Sequence, residues 1–199
     1  MPYEYRRMTP QERQDIVDYR RERGYPLHAP PHPIREAGWY LITVANFEHR
    51  SIMHRPDRRD EFEALLLAGF HDAQVEVGGW AILPNHYHIL AGADSLNEIS
   101  SILKQLHGLT SRAWNLADQS IGRRVWYKFA DRWMRDERHY FQALNYIHIN
   151  PVKHGHANEP YDWVWSSVHL YCETKGRDWL RAAWHNNPIP DGFGHGWDG

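Results

Sequence analysis

The chain has 199 residues, a formal net charge of −2 and a hydrophobic fraction of 42%, with 10 tryptophans and 11 tyrosines. Such a composition suits one packed domain with appendages and argues against indiscriminate binding of nucleic acid through bulk charge. No apolar run approaches the roughly 18 residues of a membrane helix, and the start is not a signal peptide. The single Cys172 excludes an internal disulfide and a cysteine-rich zinc site, which fits a reducing cytoplasm.

The first 37 residues are predicted to form a helical arm followed by a linker. Thr9-Pro10-Gln11-Glu12 has the pattern of a capping box with proline at the first helical position. The helix is expected to run to Arg23, and Gly24 is expected to end it. Four prolines at positions 26, 30, 31 and 33 then predict a stiff, extended connection.

The middle of the chain predicts alternating strands and helices. Hydrophobic periodicity and turn signals place a strand over 39–46, a helix over 59–70 and two strands over 74–83 and 86–91. A second capping box at 95–98 opens another helix. A strand near 125–129, with a short partner near 133, and a helix over 137–149 that Pro151 breaks complete the pattern.

This order of elements predicts the fold class. The sequence β-α-β-β-α-β followed by a helix is that of an α+β protein with a ferredoxin-like split βαβ antiparallel sheet and an extra C-terminal helix. The predicted boundaries are an arm and linker over 1–37, the central domain over 38–171 and a C-terminal tail over 172–199.

Two histidines lie two residues apart within the apolar run 80–90. On a strand, His86 and His88 share one face, with α-carbons roughly 6.5 Å apart, while Tyr87 points away. A strand whose polar face happens to be histidine is the alternative. Because paired imidazoles repel when protonated and are costly to bury without partners, a metal ion held by both is the favoured interpretation. The second such pair, His154 and His156, follows a helix in a glycine-containing segment and has no fixed common face.

The predicted helix over 137–149 carries two further candidate residues. Tyr146 and Asn150 are four apart and share a face. A helical tyrosine is usually a core residue, but the apolar stripe of this helix runs through Phe141, Leu144 and Ile147. Tyr146 is therefore expected on a more polar face, with its hydroxyl available. Asn150 suits a helix end before proline, and its amide oxygen also suits a hard cation.

A basic stretch lies between residues 121 and 139. This stretch contains six basic residues and only three acidic residues, Asp131, Asp136 and Glu137. A local positive stripe can follow a phosphate backbone without a basic chain overall, although a solvated, salt-bridged surface is the ordinary alternative. The basic residues are Arg123, Arg124, Lys128, Arg132, Arg135 and Arg138.

Three segments resemble the single-tyrosine HUH (His-hydrophobic-His) transposases, and within them the REP-associated tyrosine transposases, which are bacterial proteins linked to repeated palindromic DNA. An HxH alone is weak evidence, but a strand-borne HxH with a downstream Tyr-x-x-x-Asn-Pro-Val-x-x-Gly is much more specific. The resemblance runs from about Gly38 to about Tyr171. The segments are Leu83–Leu90, Tyr146–Gly155 and, more weakly, the Trp-x-x-Ser-Ser segment within Tyr161–Ser167.

The resemblance implies the same HUH fold and an activity. Tyr146 would be the catalytic nucleophile of a metal-dependent endonuclease and transesterase that cuts single-stranded DNA and forms a 5′-phosphotyrosine. His86, His88 and Asn150 would hold Mg²⁺ or Mn²⁺, with asparagine where relatives often have glutamine. The substrate implied is hairpin-bearing repeat DNA, and the bacterial cytoplasm, in association with the nucleoid, is the expected location.

The expected partners follow from the same resemblance and from the basic residues. Arg123, Arg124, Lys128, Arg132 and Lys153 are the predicted contacts to the DNA backbone, no membrane is expected, and a monomer and a homodimer stay open. The main alternative function is a catalytically silent module that binds DNA hairpins. A replication or plasmid-relaxase nickase and a metallohydrolase with a water nucleophile are further alternatives.

Overall fold

The computed structural model describes residues 37–194 and, before them, only residues 9–11, 14, 15 and 18. The chain divides into two units, residues 1–36 and 37–199. In the first unit, the described positions 10, 11, 14, 15 and 18 are helical, and Gln11 donates a hydrogen bond to Asp15. The rest of the predicted arm helix, its end near Arg23 and the proline-rich linker lie outside the described residues.

The second unit is built around one antiparallel sheet in the order β2-β3-β1-β4. Its strands are β1 (Gly38–Ala45), β2 (Glu76–Ile82), β3 (His86–Ala93) and β4 (Ala130–Trp133). Its helices are α1 (Pro56–Asp72), α2 (Leu96–Ala117), α3 (Glu137–Lys153), α4 (Val168–Lys175) and α5 (Arg177–Asn186). Short 3₁₀ turns cover Phe47–His49 and Pro160–Asp162.

This strand order confirms the predicted ferredoxin-like fold. Helix α1 joins β1 to β2 and α2 joins β3 to β4, so two βαβ units interleave in one sheet. Helix α3 is the extra helix expected after the last strand. None of the helices in the described part of the chain is long and apolar enough to cross a membrane.

The two faces of the sheet carry different layers, because strand side chains alternate with a period of two. On one face, Ile42, Val44 and Ile89 pack with residues of α1 and α2 in the larger core. On the other face, Leu41 and Leu90 pack with Leu144 and Ile147 of α3. Residues one apart on β1 or β3 therefore face different helices.

Strand β4 begins five residues later than predicted. The expected strand at 125–129 is wrong, since the regular pairing with β1 runs over residues 130–133. Val125 and Trp126 are apolar because they fill the larger core, where the Trp126 indole donates a hydrogen bond to Thr110. Two backbone hydrogen bonds on either side of Trp126, from Phe47 N–H to the Val125 carbonyl and from Tyr127 N–H to the Ala45 carbonyl, join this stretch to the end of β1.

Helix α3 passes through Pro151, where the sequence predicted a break. The helix continues to Lys153 because a proline in the last turn removes only one backbone donor. The following turn is closed by a hydrogen bond from the His154 N–H to the Asn150 carbonyl at 3.0 Å. As a result, Asn150 is helical and keeps its place one turn after Tyr146.

The residues beyond 171, expected as a tail, continue the second unit. Helix α4 begins at the fully buried Val168, and α5 buries Leu180. The Asn145 side chain on α3 donates hydrogen bonds to the carbonyls of Ala183 and Asn187. Helix α5 is therefore fixed against α3, and a turn at residues 191–194 follows it.

A buried ion-pair network joins α1 to the end of α2. Arg58, only 7% exposed, contacts both carboxylate oxygens of Asp118 and the Ile52 carbonyl. Arg123 donates a 2.7 Å hydrogen bond to the same carboxylate. Hydrogen bonds from these two guanidinium groups, the larger contribution coming from Arg58, hold the pKa of Asp118 well below its usual range.

We expect Asp118→Asn to lower the free energy of unfolding by about 2 kcal/mol at pH 7, because the buried guanidinium of Arg58 loses its counter-ion. The folded-state pKa of Asp118 is depressed, so its contribution is complete above its unfolded pKa of about 3.9 and is lost as the pH falls through the lower folded value. Urea denaturation at pH 7 and near pH 2 measures this difference. Asp72→Asn, at an exposed carboxylate, is the control; equal effects of the two changes at pH 7 would contradict the structural role of Asp118.

Candidate active site

Two buried imidazoles form the floor of the candidate site. His86 and His88 are the first and third residues of β3, both fully buried, and their rings lie 5.0 Å apart between centroids. They are on the face of the sheet that packs against α3, whereas Tyr87 between them belongs to the opposite core. The common face predicted from the HxH spacing is therefore present.

Both imidazoles are oriented through Nδ1 by neutral oxygen atoms. His88 Nδ1 lies 2.8 Å from the Thr43 hydroxyl, and His86 Nδ1 lies 2.8 Å from the Asn85 amide oxygen. When Nδ1–H donates to these oxygens, each ring keeps its Nε2 lone pair for a ligand. Such outer hydrogen bonds fix the tautomer and rotation of histidines that bind metals. Thr43 and Asn85 are therefore orienting residues.

Helix α3 brings Tyr146 and Asn150 to the same two histidines. The Asn150 amide oxygen lies 3.0 Å from His86 Nε2, and the Tyr146 ring packs edge-on at 5.3 Å from the ring of His88. Asn150 is fully buried. The residues His86, His88, Tyr146 and Asn150, which the sequence placed on separate elements, therefore converge.

The donor atoms fit a small divalent cation. Ligands at right angles about an ion with bonds of about 2.1 Å are about 3.0 Å apart, which is the separation of His86 Nε2 and the Asn150 oxygen. When His86 Nδ1–H donates to Asn85, these two atoms are both hydrogen-bond acceptors, and a cation between them would relieve their repulsion. Within the described residues no three His, Cys, Asp or Glu side chains are grouped to hold a metal. The candidate ligands are thus two imidazoles and one amide.

A third imidazole borders the candidate ligands. His154 follows the last turn of α3, and its ring lies 4.9 Å from the ring of His86. Its HxH partner in sequence, His156, lies 5.5 Å from Trp163 and also stacks on His154, with ring centroids 6.5 Å apart and an interplanar angle of 23°. The expectation that this pair has no common face is therefore wrong.

The basic residues predicted to contact DNA fall into separate places. Lys153 lies with its ammonium 5.0 Å from the Tyr146 ring centroid, and Arg132 on β4 lies 4.9 Å from the Phe193 ring. Arg123 is held in the Asp118 network. Arg124 lies against two aromatic rings, and Lys128 is exposed. Of these five residues, Lys153 contacts the Tyr146 ring and Arg132 contacts Phe193, the ring that packs against Tyr146.

The C-terminal turn covers Tyr146, contrary to the expectation of an available hydroxyl. Tyr146 is 1% exposed, and the Phe193 ring lies 5.1 Å from its ring. The Gly194 backbone lies so close that an added Cβ would overlap the tyrosine hydroxyl. The helix face of Tyr146 is covered by residues that come almost fifty positions later, so helical periodicity could not reveal the cover.

The geometry defines a class of site: a histidine pair on a ferredoxin-like sheet facing a tyrosine and an amide on the following helix. This is the arrangement that the single-tyrosine HUH resemblance implies. No protein-family model matches the chain.

Sequence and structure comparisons identify relatives. The chain is 29% identical over 136 residues to the REP-associated tyrosine transposase of Escherichia coli (strain K12), covering 67% of this chain and 78% of the relative. It is 24% identical over 159 residues to a putative REP-associated tyrosine transposase of Haemophilus influenzae, covering 72% and 88%. A solved REP-associated tyrosine transposase bound to a REP hairpin shares the fold, with a TM-score of 0.59 and 20% identity over 82% of this chain and 92% of that one. The resemblance to REP-associated tyrosine transposases is therefore confirmed.

We expect Gly194→Ala to displace the C-terminal turn from Tyr146, because the new methyl group overlaps the phenol. Acetylation of Tyr146 by N-acetylimidazole, quantified by mass spectrometry, should rise severalfold. Gly192→Ala is a matched control: Gly192 also has a positive φ, 73° against 82°, but nothing within 4 Å of its added Cβ. Equal labelling of Tyr146 in the two variants would show that the turn does not limit access.

Proposed function

We propose that the protein cuts and rejoins single-stranded DNA that carries a hairpin from repeated palindromic elements, through a covalent bond to Tyr146. The convergence of Tyr146 with His86, His88 and Asn150 carries this proposal. The relatives named as transposases and the structural neighbour bound to a REP hairpin support the same substrate class. The proposed enzyme is a DNA strand transferase of the HUH type.

The proposed first step is a transesterification. The Tyr146 oxygen attacks the scissile phosphorus, an O–P bond forms and the bond to the 3′ oxygen breaks. The phenolic proton passes to water, and the leaving 3′ oxygen takes up a proton from water. The products are a 5′-phosphotyrosine and a free 3′-hydroxyl. Because one phosphodiester replaces another, the energy for rejoining is kept in the covalent intermediate.

Each residue of the site has a defined part in this step. His86, His88 and Asn150 would hold Mg²⁺ or Mn²⁺, which supplies Lewis-acid stabilisation of charge on a phosphate oxygen. Lys153 places a positive charge beside the phenol, where the DNA backbone must lie. The turn at Phe193 and Gly194 must move, since it occupies the approach to the hydroxyl.

We expect Tyr146→Phe to abolish the covalent protein–DNA adduct, because the attacking oxygen is removed. The measurement is a denaturing gel after incubation with Mn²⁺ and a set of hairpin oligonucleotides from repeated palindromic elements. Tyr140→Phe is the control, because Tyr140 is on the same helix but packs against Trp39. Adduct that survives in Tyr146→Phe would overturn the tyrosine mechanism. Cleavage with no adduct would favour a water nucleophile, and binding with neither would assign a silent hairpin-binding module.

We expect Thr43→Val to weaken Mn²⁺ binding by about 10- to 100-fold, because His88 loses the acceptor that fixes its tautomer and orientation. Titration calorimetry or electron paramagnetic resonance without DNA measures the affinity directly. Thr43→Ser retains the hydroxyl and should bind within a few-fold of the native protein. Unchanged affinity in Thr43→Val would count against ligation by His88.

A further inference from the structure

Two aromatic rings and an arginine form a compact cluster just beyond the end of β1. The rings of Phe47 and Tyr127 are nearly parallel, at 10°, with centroids 5.4 Å apart. The Arg124 guanidinium lies 4.6 Å from the first ring and 5.0 Å from the second. Aromatic faces with an adjacent guanidinium are the surfaces on which bases of single-stranded nucleic acid stack.

Backbone hydrogen bonds place this cluster next to the candidate site. The Phe47 N–H donates to the Val125 carbonyl, and the Tyr127 N–H donates to the Ala45 carbonyl. Ala45 is the pairing partner of His86 in the sheet. Tyr127 therefore bonds to the residue that pairs with the candidate ligand His86, and Phe47 lies two positions further along the chain.

Asn85 links the turn that follows Phe47 to the candidate site through its side chain. Its amide oxygen contacts His86 Nδ1 at 2.8 Å, and its amide nitrogen donates at 3.5 Å to the carbonyl of His49. His49 and Glu48 both have positive φ values, 50° and 58°, which ordinary side chains rarely adopt. The chain thus makes a strained turn immediately after Phe47, and strain of this kind is concentrated at functional positions.

The cluster is at the surface, unlike the core aromatics. Phe47 and Tyr127 are partly exposed, and Arg124 is exposed, as is Lys128 next to Tyr127. A purely structural pair would bury both rings, as Trp126 and Tyr87 are buried in the larger core. Partly exposed rings with two exposed cations beside them match a ligand with flat bases and a negative backbone.

We propose that Phe47, Tyr127 and Arg124 form a stacking platform for an unpaired base of the DNA strand that enters the site. The inference deepens the proposed function and rests on it, because the platform would position the nucleotides next to the scissile phosphate. In this arrangement the planar guanidinium of Arg124 stacks on the base, and Lys128 contacts the phosphate backbone of the DNA.

The test compares two single strands that differ only in their bases. One is a fluorescein-labelled 20-mer of thymidine, and the other is a 20-mer of abasic sites with the same phosphates. Fluorescence anisotropy gives the affinity of the full-length protein and its variants for each strand, and thermal melting checks that each variant is folded. The abasic strand has the phosphate charges but no bases. Comparing the two strands therefore separates the contribution of base stacking from that of phosphate contacts.

Phe47→Leu and Tyr127→Leu should each weaken binding of the thymidine strand by about 10-fold or more and change binding of the abasic strand less than twofold. Tyr127→Phe, which keeps the ring, should retain the affinity. Lys128→Ala should weaken binding of both strands by a similar factor. Equal losses on the two strands in the leucine variants, no loss at all, or no binding by the native protein would overturn the platform.

Failure of the platform and failure of the proposed function give different results. If the leucine variants bind like the native protein while the Tyr146 adduct still forms, only the platform is wrong. If base-dependent losses occur but no adduct forms on any hairpin, the platform stands as a single-strand site and the transesterase function fails.

Discussion

The register between β1 and β3 is the constraint on which the candidate site depends. It sets Thr43 opposite His88 and Ala45 opposite His86. Because side chains alternate along a strand, a slip of one residue in β3 would turn both histidines toward α1 and α2 and put Tyr87 in their place. The apolar residues of the two cores, Ile89 on one face and Leu90 on the other, oppose such a slip since each fits its own layer. Core packing thus fixes the position of the polar site.

The close approach of α3 to the sheet is the second requirement. A Cβ at Gly79 of β2 would lie 2.6 Å from a methyl carbon of Leu144, so glycine there lets the helix pack directly on the strand. Leu144 and Ile147 supply the apolar contact. Tyr146 and Asn150 lie on the part of the helix that meets β3, and the 3.0 Å contact of Asn150 with His86 joins the two elements at the site.

Burial gives the polar residues of the site their character. The imidazoles and the amide are fully buried, and the oxygens of Thr43 and Asn85 supply neutral acceptors for the Nδ1 atoms of His88 and His86. Neutral partners suit imidazoles that would bind a cation, because they leave the rings unprotonated. The C-terminal turn completes the enclosure over Tyr146, so the same residues that exclude water also cover the proposed nucleophile. The four site residues are already assembled while the turn is closed, so opening the turn is needed only to expose the hydroxyl of Tyr146.

Local patterns in the sequence determined the order of the elements. They also determined the common face of His86 and His88 and the helical spacing of Tyr146 and Asn150. Each of these patterns depends on the geometry of a single strand or a single helix. Only the tertiary structure decided that these faces meet, that Thr43 and Asn85 orient the imidazoles, and that Phe193 covers the phenol. The start of β4 at residue 130 and the passage of α3 through Pro151 were also decided there. The physical reason is that pairing register and helix docking arise from contacts between residues far apart in the chain, and the periodicity of a single segment contains no record of them.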